Sequence, residues 1–334
     1  MKVPYALIAL VLAAPALAQP VAGNLGVTWN AGAEDCAKNP QPPLQIHHYE
    51  PQTIILRQNL CADFEAPLLY LLIGSERALL IDTGAVDDAQ AMPLAKTVSE
   101  LLPVVDGTRL PLLAVHTHRH GDHRAGDAQL AALPATQVVP VDAAGMHAFF
   151  EFENWPEGLA QIDLGDRTIE VLPIPGHQSE HLLFYDARTG TVFSGDFLLP
   201  GRLYVDDIDA YRASAQRAVD FLKDKAVTHV LGAHIELAAS GELFPSGSTF
   251  HPDERAMALT KADLDGLPKA LADFNGFYSR YPNVVIVNPM RNLLVVVAIV
   301  LIVLSLLGWL ARRWWKRRRA ARRARTAPTY AAAK

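Results

Sequence analysis

His116-Thr117-His118-Arg119-His120-Gly121-Asp122-His123 is the stretch whose reading decides the fold. His118, His120, Asp122 and His123 place four potential metal ligands within six residues, directly after the apolar, β-branched run from Leu110 to Val115. Three of the 12 histidines of the chain fall within these six residues beside an aspartate, a density that composition alone does not produce. Imidazole and carboxylate together suit zinc and similar borderline metals, whereas an all-oxygen set would suit calcium or magnesium. On a helix, residues two apart point to different faces, but a tight loop after a strand lets them converge. Gly121 is expected to supply the backbone freedom such a loop needs.

Three further candidates follow, each just past an apolar run and inside a glycine-containing turn. They are His177 in Pro173-Ile174-Pro175-Gly176-His177, Asp196 in Phe193-Ser194-Gly195-Asp196, and His234 in Leu231-Gly232-Ala233-His234. Strand ends that share one edge of a sheet are where α/β proteins assemble their sites. Taken singly, a turn histidine or aspartate is ordinarily solvated or caps a turn. The set reads as one centre.

The runs around these residues supply the frame. Strands are expected at Thr53 to Leu60, Leu68 to Ile73, Ala78 to Ile81, Leu110 to Val115, Gln137 to Val141, Ile169 to Ile174, Leu182 to Tyr185, Thr191 to Phe193 and His229 to Leu231. Helical periodicity appears at Ala89 to Leu102, Ala125 to Leu133 and Tyr211 to Leu222, and from Asp253 to Phe274, where Gly266 and Pro268 are expected to interrupt it. Adjacent strands early and alternating strand and helix later indicate a layered α/β domain, placed at residues 51–280 behind an N-terminal extension at residues 19–50.

In order along the chain, Leu80-Ile81-Asp82-Thr83-Gly84, His118-x-His120-x-Asp122-His123, Gly176-His177, Ser194-Gly195-Asp196 and Gly232-Ala233-His234 resemble the motifs of the metallo-β-lactamase-fold hydrolases. The resemblance spans roughly residues 54–235 and leaves no position of the ligand set empty. It implies an αββα sandwich and a dinuclear metal site, with zinc the expected metal and iron or manganese the alternatives. His118, His120 and His177 would hold the first ion, Asp122, His123 and His234 the second, with Asp196 bridging and Asp82 steadying the loop from behind. Two such ions lower the pKa of a shared water to about 7, so that hydroxide forms without a strong base. Asp122 would orient that water and shuttle its proton, which makes it the expected catalytic residue.

Within the family, β-lactamases with an all-histidine first cluster lack an aspartate at the Asp196 position, whereas glyoxalase-II-like and lactonase-like members carry one. Ester, lactone or thioester hydrolysis is therefore expected, ahead of β-lactam hydrolysis. A binding protein on a degenerate hydrolase fold would be expected to have lost ligands. A mononuclear iron persulfide dioxygenase keeps the fold and changes the chemistry. Beyond the ligands, Arg202 and Tyr204 follow Asp196 closely enough to line a pocket: Arg202 is expected to bind a substrate carboxylate and Tyr204 to donate to a developing oxyanion. His116 and His181 are expected to support the centre without binding metal.

Outside the domain, Lys2, the apolar run from Tyr5 to Leu12 and Ala16-Leu17-Ala18 have the order of a secretory signal peptide, residues 1–18. Cys36 and Cys61 are the only cysteines, and an oxidising compartment would let them pair. Residues 292–311 carry no charge and are apolar all round; 20 residues at about 1.5 Å rise span about 30 Å, the thickness of a bilayer core. Trp309, Trp314 and Trp315 at its end precede Lys316-Arg317-Arg318-Arg319, the pattern of a transmembrane helix whose basic flank, residues 312–334, stays cytoplasmic. The domain would then lie in the periplasm or outside the cell.

Charge agrees with this division. The chain has 30 basic and 35 acidic residues, but ten of the basic ones and none of the acidic ones lie beyond residue 311. An acidic body opposes phosphate backbones, so nucleic acid is not an expected partner; a small molecule and the membrane are.

Overall fold

Along the strands Thr53–Gln58, Leu68–Ile73 and Ala78–Ile81, successive residues are all buried, which sheets reach when both faces are covered. The computed structural model describes residues 20–326, so the expected signal peptide lies outside the described residues. On one face of this first sheet, Ile55, Tyr70, Leu72, Leu79, Ile81 and Val115 pack toward a second sheet. Ile54, Leu56, Leu71, Leu80 and Ala114, pointing the other way, pack on Leu94 and Val98 of the helix Leu94–Leu101. The second sheet repeats the arrangement. Val171, Phe184, Phe193 and Leu231 face the first sheet, while Leu172, Leu183, Val192 and Val230 face the helices Ile208–Leu222 and Lys261–Asp273. Period-two alternation with both faces apolar thus yields helix, sheet, sheet, helix, the expected αββα sandwich. Phe184 and Phe193 are fully buried between the sheets, each burial contributing about 1.5–3 kcal/mol.

Each sheet has six strands. The first runs Leu44–Glu50, Thr53–Gln58, Leu68–Ile73, Ala78–Ile81, Leu112–Val115 and Thr136–Val138 in spatial order, antiparallel at the start and parallel from Ala78–Ile81 onward. The second is ordered Ala258–Leu259, His229–Gly232, Thr191–Gly195, Leu182–Asp186, Thr168–Pro173 and Ala160–Asp163. The parallel pairs, 78–81 with 112–115 and 191–195 with 229–232, bring the carboxyl ends of four strands to one edge. Main-chain hydrogen bonds from Leu68 to Ala233 and from Leu182 to Thr117 join the two sheets along that edge.

Several boundaries move. Leu44–Glu50, expected within the extension, is the edge strand of the first sheet; with one flank open, its side chains alternate into solvent. The domain also continues past residue 280, because Val285–Val287 pairs in parallel with Arg202–Tyr204. The helix expected from Ala89 begins only at Leu94, where Pro93 at the N-cap forces the preceding residues out of helical backbone. Pro268 does not interrupt the last domain helix. A capping box of Thr260 and Asp263 starts it, and Leu264, Leu267 and Leu271 hold its buried face on both sides of the proline. Residues 253–260 are not helical; Ala258–Leu259 adds a strand to the second sheet instead.

Cys36 and Cys61 form the expected disulfide, tying the N-terminal extension to the loop after Thr53–Gln58. Pro289–Thr326 is a single helix, and its stretch Pro289–Arg322 contains a window of mean hydropathy 3.1 with none of it buried by the rest of the protein. An uncovered apolar cylinder of this length can span a membrane.

Candidate metal centre

All seven predicted ligands leave strand ends at the shared edge. His118 and His120 lie in the loop after Leu112–Val115, and Asp122 and His123 sit on the one-turn helix Gly121–Arg124 that closes it. His177 follows Thr168–Pro173, Asp196 follows Thr191–Gly195, and His234 follows His229–Gly232. The switch from loop to helix at Gly121 splits the motif, sending its first two ligands to one side and its last two to the other.

The glycine in that motif is not where freedom is needed. Gly121 occupies the first helical position with open space around it, so the expectation of a glycine-dependent turn there is corrected. Glycine is required instead beside His177 and Asp196. Gly176 has φ +144°, and a Cβ on it would stand 2.4 Å from the Tyr211 backbone; Gly195 has φ +53°. Asp82, at φ +64°, takes the left-handed conformation without being glycine, a local strain that aspartate tolerates better than most residues.

Two sets of ligand atoms result: His118, His120, His177 and Asp196 in one, and Asp122, His123, Asp196 and His234 in the other. In the first, His118 Nε2 lies 2.8 Å and His177 Nε2 3.2 Å from His120 Nδ1, with Asp196 Oδ2 at 3.5 Å from His177 and 3.9 Å from His118. The second is more regular. His123 Nε2 is 3.3 Å from Asp122 Oδ2 and 3.4 Å from Asp196 Oδ1; His234 Nε2 is 3.3 Å from both carboxylates and 3.4 Å from His123. A tetrahedron with bonds of about 2.0–2.1 Å has edges of about 3.3–3.4 Å. Asp196 turns one oxygen to each set.

The opposite ring nitrogens explain why a cation belongs here. His123 Nδ1 donates to Asp82 Oδ2 at 2.8 Å, His177 Nδ1 to the Tyr204 carbonyl at 2.9 Å, and His234 Nδ1 to the Glu65 carbonyl at 2.7 Å. Each neutral ring therefore presents an Nε2 lone pair to the centre. In the second set these lone pairs face two carboxylates, so with both rings neutral four acceptors converge. Asp196 Oδ1 is buried without a hydrogen-bond partner. Such a group is costly unless positive charge fills the gap. The titration behaviour has the same cause. Burial opposes a charged His123 or His234, yet Asp82, Asp196 and Asp122 around the former, and Asp196 and Asp122 around the latter, hold both well above the ordinary histidine range. Burial, then the His123 charge, pushes His118 well below it. The donor set fits a divalent metal ion, and this His/Asp cluster is able to bind one.

Asp82 fixes the motif from behind. Its Oδ1 accepts from the Thr117 amide at 2.7 Å and its Oδ2 from the Thr117 hydroxyl at 2.9 Å, in addition to His123. His116 reaches Asp127 at 2.8 Å. His181 is fully buried against the His118 ring, 4.8 Å between centroids, and both its nitrogens lack hydrogen-bond partners among the described residues.

A cavity opens beside the centre, with Phe64, Glu65, Arg202, Tyr204, Ile235 and Glu236 in its wall. Tyr204 keeps its hydroxyl free of partners among the described residues, while its carbonyl holds His177. Arg202 lies in the same wall, but Nη1 is 2.9 Å from Glu236 Oε1 and Nη2 donates to the Phe244 carbonyl at 2.8 Å. Sequence reasoning missed Thr117 and the Glu65 and Tyr204 carbonyls. A backbone acceptor carries no residue signature.

A model of the metallo-beta-lactamase superfamily matches residues 63–234, the interval that contains all seven residues of the cluster. The acyl-coenzyme A thioesterase MBLAC2 of Gallus gallus is 26% identical over 221 residues, covering 54% of this chain and 77% of that protein. The hydroxyacylglutathione hydrolase of Methylococcus capsulatus is 32% identical over 139 residues, covering 40% of this chain and 51% of that protein. Both relatives are named for thioester-cleaving activities.

Proposed function

This chain belongs to the metallo-beta-lactamase superfamily, and from that premise we propose that it is a membrane-anchored hydrolase of thioesters or related carbonyl esters that works with two zinc ions. The observation that carries the reading is the completeness of the second ligand set, four acceptors at 3.3–3.4 Å with Asp196 shared with the first. When bound, the metal ions supply Lewis acidity and an activated water at neutral pH. His118, His120, His177 and Asp196 would hold one, and Asp122, His123, His234 and Asp196 the other.

The chain's own residues do the rest. Asp122, at the rim of the second set, orients the attacking water and takes its proton at a carboxylate oxygen. The Tyr204 hydroxyl, unengaged in the cavity wall, donates to the oxygen on which charge develops as the carbonyl carbon becomes tetrahedral. Arg202 holds the wall through Glu236 and the Phe244 carbonyl, which keeps Tyr204 in place. Phe64, 43% exposed at the cavity, covers the apolar part of an acyl group. Location follows from the ends of the chain. The signal peptide exports the domain, residues 292–311 of the C-terminal helix span the membrane, and the basic tail, residues 312–334, stays in the cytoplasm.

The test is hydrolysis of a panel of thioesters, lactones, simple esters and β-lactams by the full chain in detergent, with His118→Ala as control. The reading predicts thioester or ester cleavage that His118→Ala reduces by more than about a hundredfold, since changes behind the ligands already cost ten- to hundredfold. Equal activity in the variant contradicts it.

A further inference from the structure

The cavity beside the metal centre is lined by two arginines, Arg57 and Arg202, and two glutamates, Glu65 and Glu236. Its two arginines are both occupied. Arg57, 3% exposed, is paired with both carboxylate oxygens of Glu254, one at 2.6 Å, and Arg202 is paired with Glu236. Arg119, between two ligand residues in sequence, donates to Gln178, faces Glu180 at 3.9 Å and takes no part in the wall. Glu65 is different. Its amide donates to Asp63 and its carbonyl receives His234 Nδ1, so the residue is fixed in position. Yet its carboxylate has no cationic side-chain partner among the described residues.

That carboxylate shares its surroundings with the reaction centre. Glu65 lines the cavity wall together with Tyr204 and Ile235, the neighbour of His234, and its own carbonyl holds His234. Glu65 is thus a partly desolvated, immobilised negative group a short way from the ligands, in a pocket whose arginines are already neutralised. A positive group entering the cavity would meet it; a negative one would meet Glu65 and the excess of acid over base in residues 19–311, where 35 acidic residues oppose 19 basic ones.

We propose that the cavity selects acyl substrates bearing a protonated amine, with Glu65 as the group that binds the ammonium. This rests on the hydrolase reading above and deepens it by naming the substrate charge. It also reverses the expectation attached to Arg202, because a guanidinium already bound to Glu236 has little left to offer a carboxylate. An ammonium at Glu65 places the cation in the wall and leaves the acyl carbonyl free to reach Tyr204 and the metal centre.

The experiment compares three thioesters of one thiol, N-acetylcysteamine, acylated with 6-aminohexanoyl, hexanoyl or adipoyl groups, using the zinc-loaded full chain in detergent. The proposal expects kcat/KM for the aminohexanoyl substrate to exceed that for hexanoyl by about tenfold, the scale of one charge-assisted hydrogen bond, with adipoyl the slowest. Glu65→Gln should bring the aminohexanoyl-to-hexanoyl ratio to near one, and Glu65→Lys should favour adipoyl. A wild-type preference for adipoyl, or a ratio that Glu65→Gln leaves unchanged, overturns it. Calorimetric titration with hexylammonium, which is protonated at neutral pH and so has no lone pair to offer a metal, separates this claim from the hydrolase reading. Binding that Glu65→Gln abolishes supports the ammonium site even if no thioester is cleaved, in which case the hydrolase reading alone fails. Absence of binding to the wild type overturns the site.

Discussion

At the end of the sandwich away from the ligands, Arg167 and Asp186 form an ion pair at 2.7 Å with both side chains fully buried, whereas at the strand-end edge Asp196 is buried facing other acceptors. The Arg167 cluster is complete. Arg167 also donates to the Gln52 carbonyl and the Thr53 hydroxyl, Asp186 accepts from Thr189, Thr189 meets Thr191, and Thr191 leads to Tyr49 and His229. Its donors and acceptors alternate across both sheets. The edge cluster places lone pairs against lone pairs. A satisfied buried network holds a fold together; an unsatisfied, convergent one holds a place for something else.

This contrast can be broken from either side. The largest expected effect on stability comes from Asp186→Ala, which leaves the Arg167 guanidinium buried and unpaired. It should cost about 3–5 kcal/mol and lower Tm by roughly 6–20 °C, read by calorimetry, while the folded variant keeps its metal content. Loss of metal at temperatures where the variant is folded would mean that the two ends are not independent.

Asp82→Asn sharpens the contrast, because Asp82, itself hydrogen-bonded to Thr117 and His123, fixes a ligand of the open cluster from behind. The amide can still accept from Thr117, but its affinity for the His123 Nδ1–H is weaker and the ring loses its charged partner. Metal affinity should fall about ten- to hundredfold, equivalent to about 1.4–2.7 kcal/mol, with a smaller change in the stability of the metal-free protein. Competition with a chromophoric chelator measures it. An unchanged affinity would remove Asp82 from the account.

Much of the edge was legible before any coordinates, and for a physical reason. A metal centre needs side-chain atoms of a few residue types, and strand ends deliver them at fixed points along the chain, so His118, His120, Asp122, His123, His177, Asp196 and His234 stood out against their apolar neighbours. Apolar alternation likewise exposed the buried strands. What escaped was carried by atoms every residue has, such as the Glu65 and Tyr204 carbonyls, or by partners distant in sequence, such as Glu236 closing on Arg202. Leu44–Glu50 escaped because an open edge strand leaves Ile46 and His48 facing solvent while Gln45, His47 and Glu50 are only partly covered, and such a mixed pattern reads as loop. Pro268 misled in the other direction: three buried leucines outweighed one lost hydrogen bond.

The comparison of the two ends reduces to whether the open cluster takes up metal as a pair of sites that share Asp196. Equilibrium dialysis of the metal-stripped full chain against zinc, followed by elemental analysis of wild type and Asp196→Asn, tests this most directly. The account predicts two zinc ions per wild-type chain and fewer than two in the variant. No bound zinc in the wild type, or the same content in both, would contradict it.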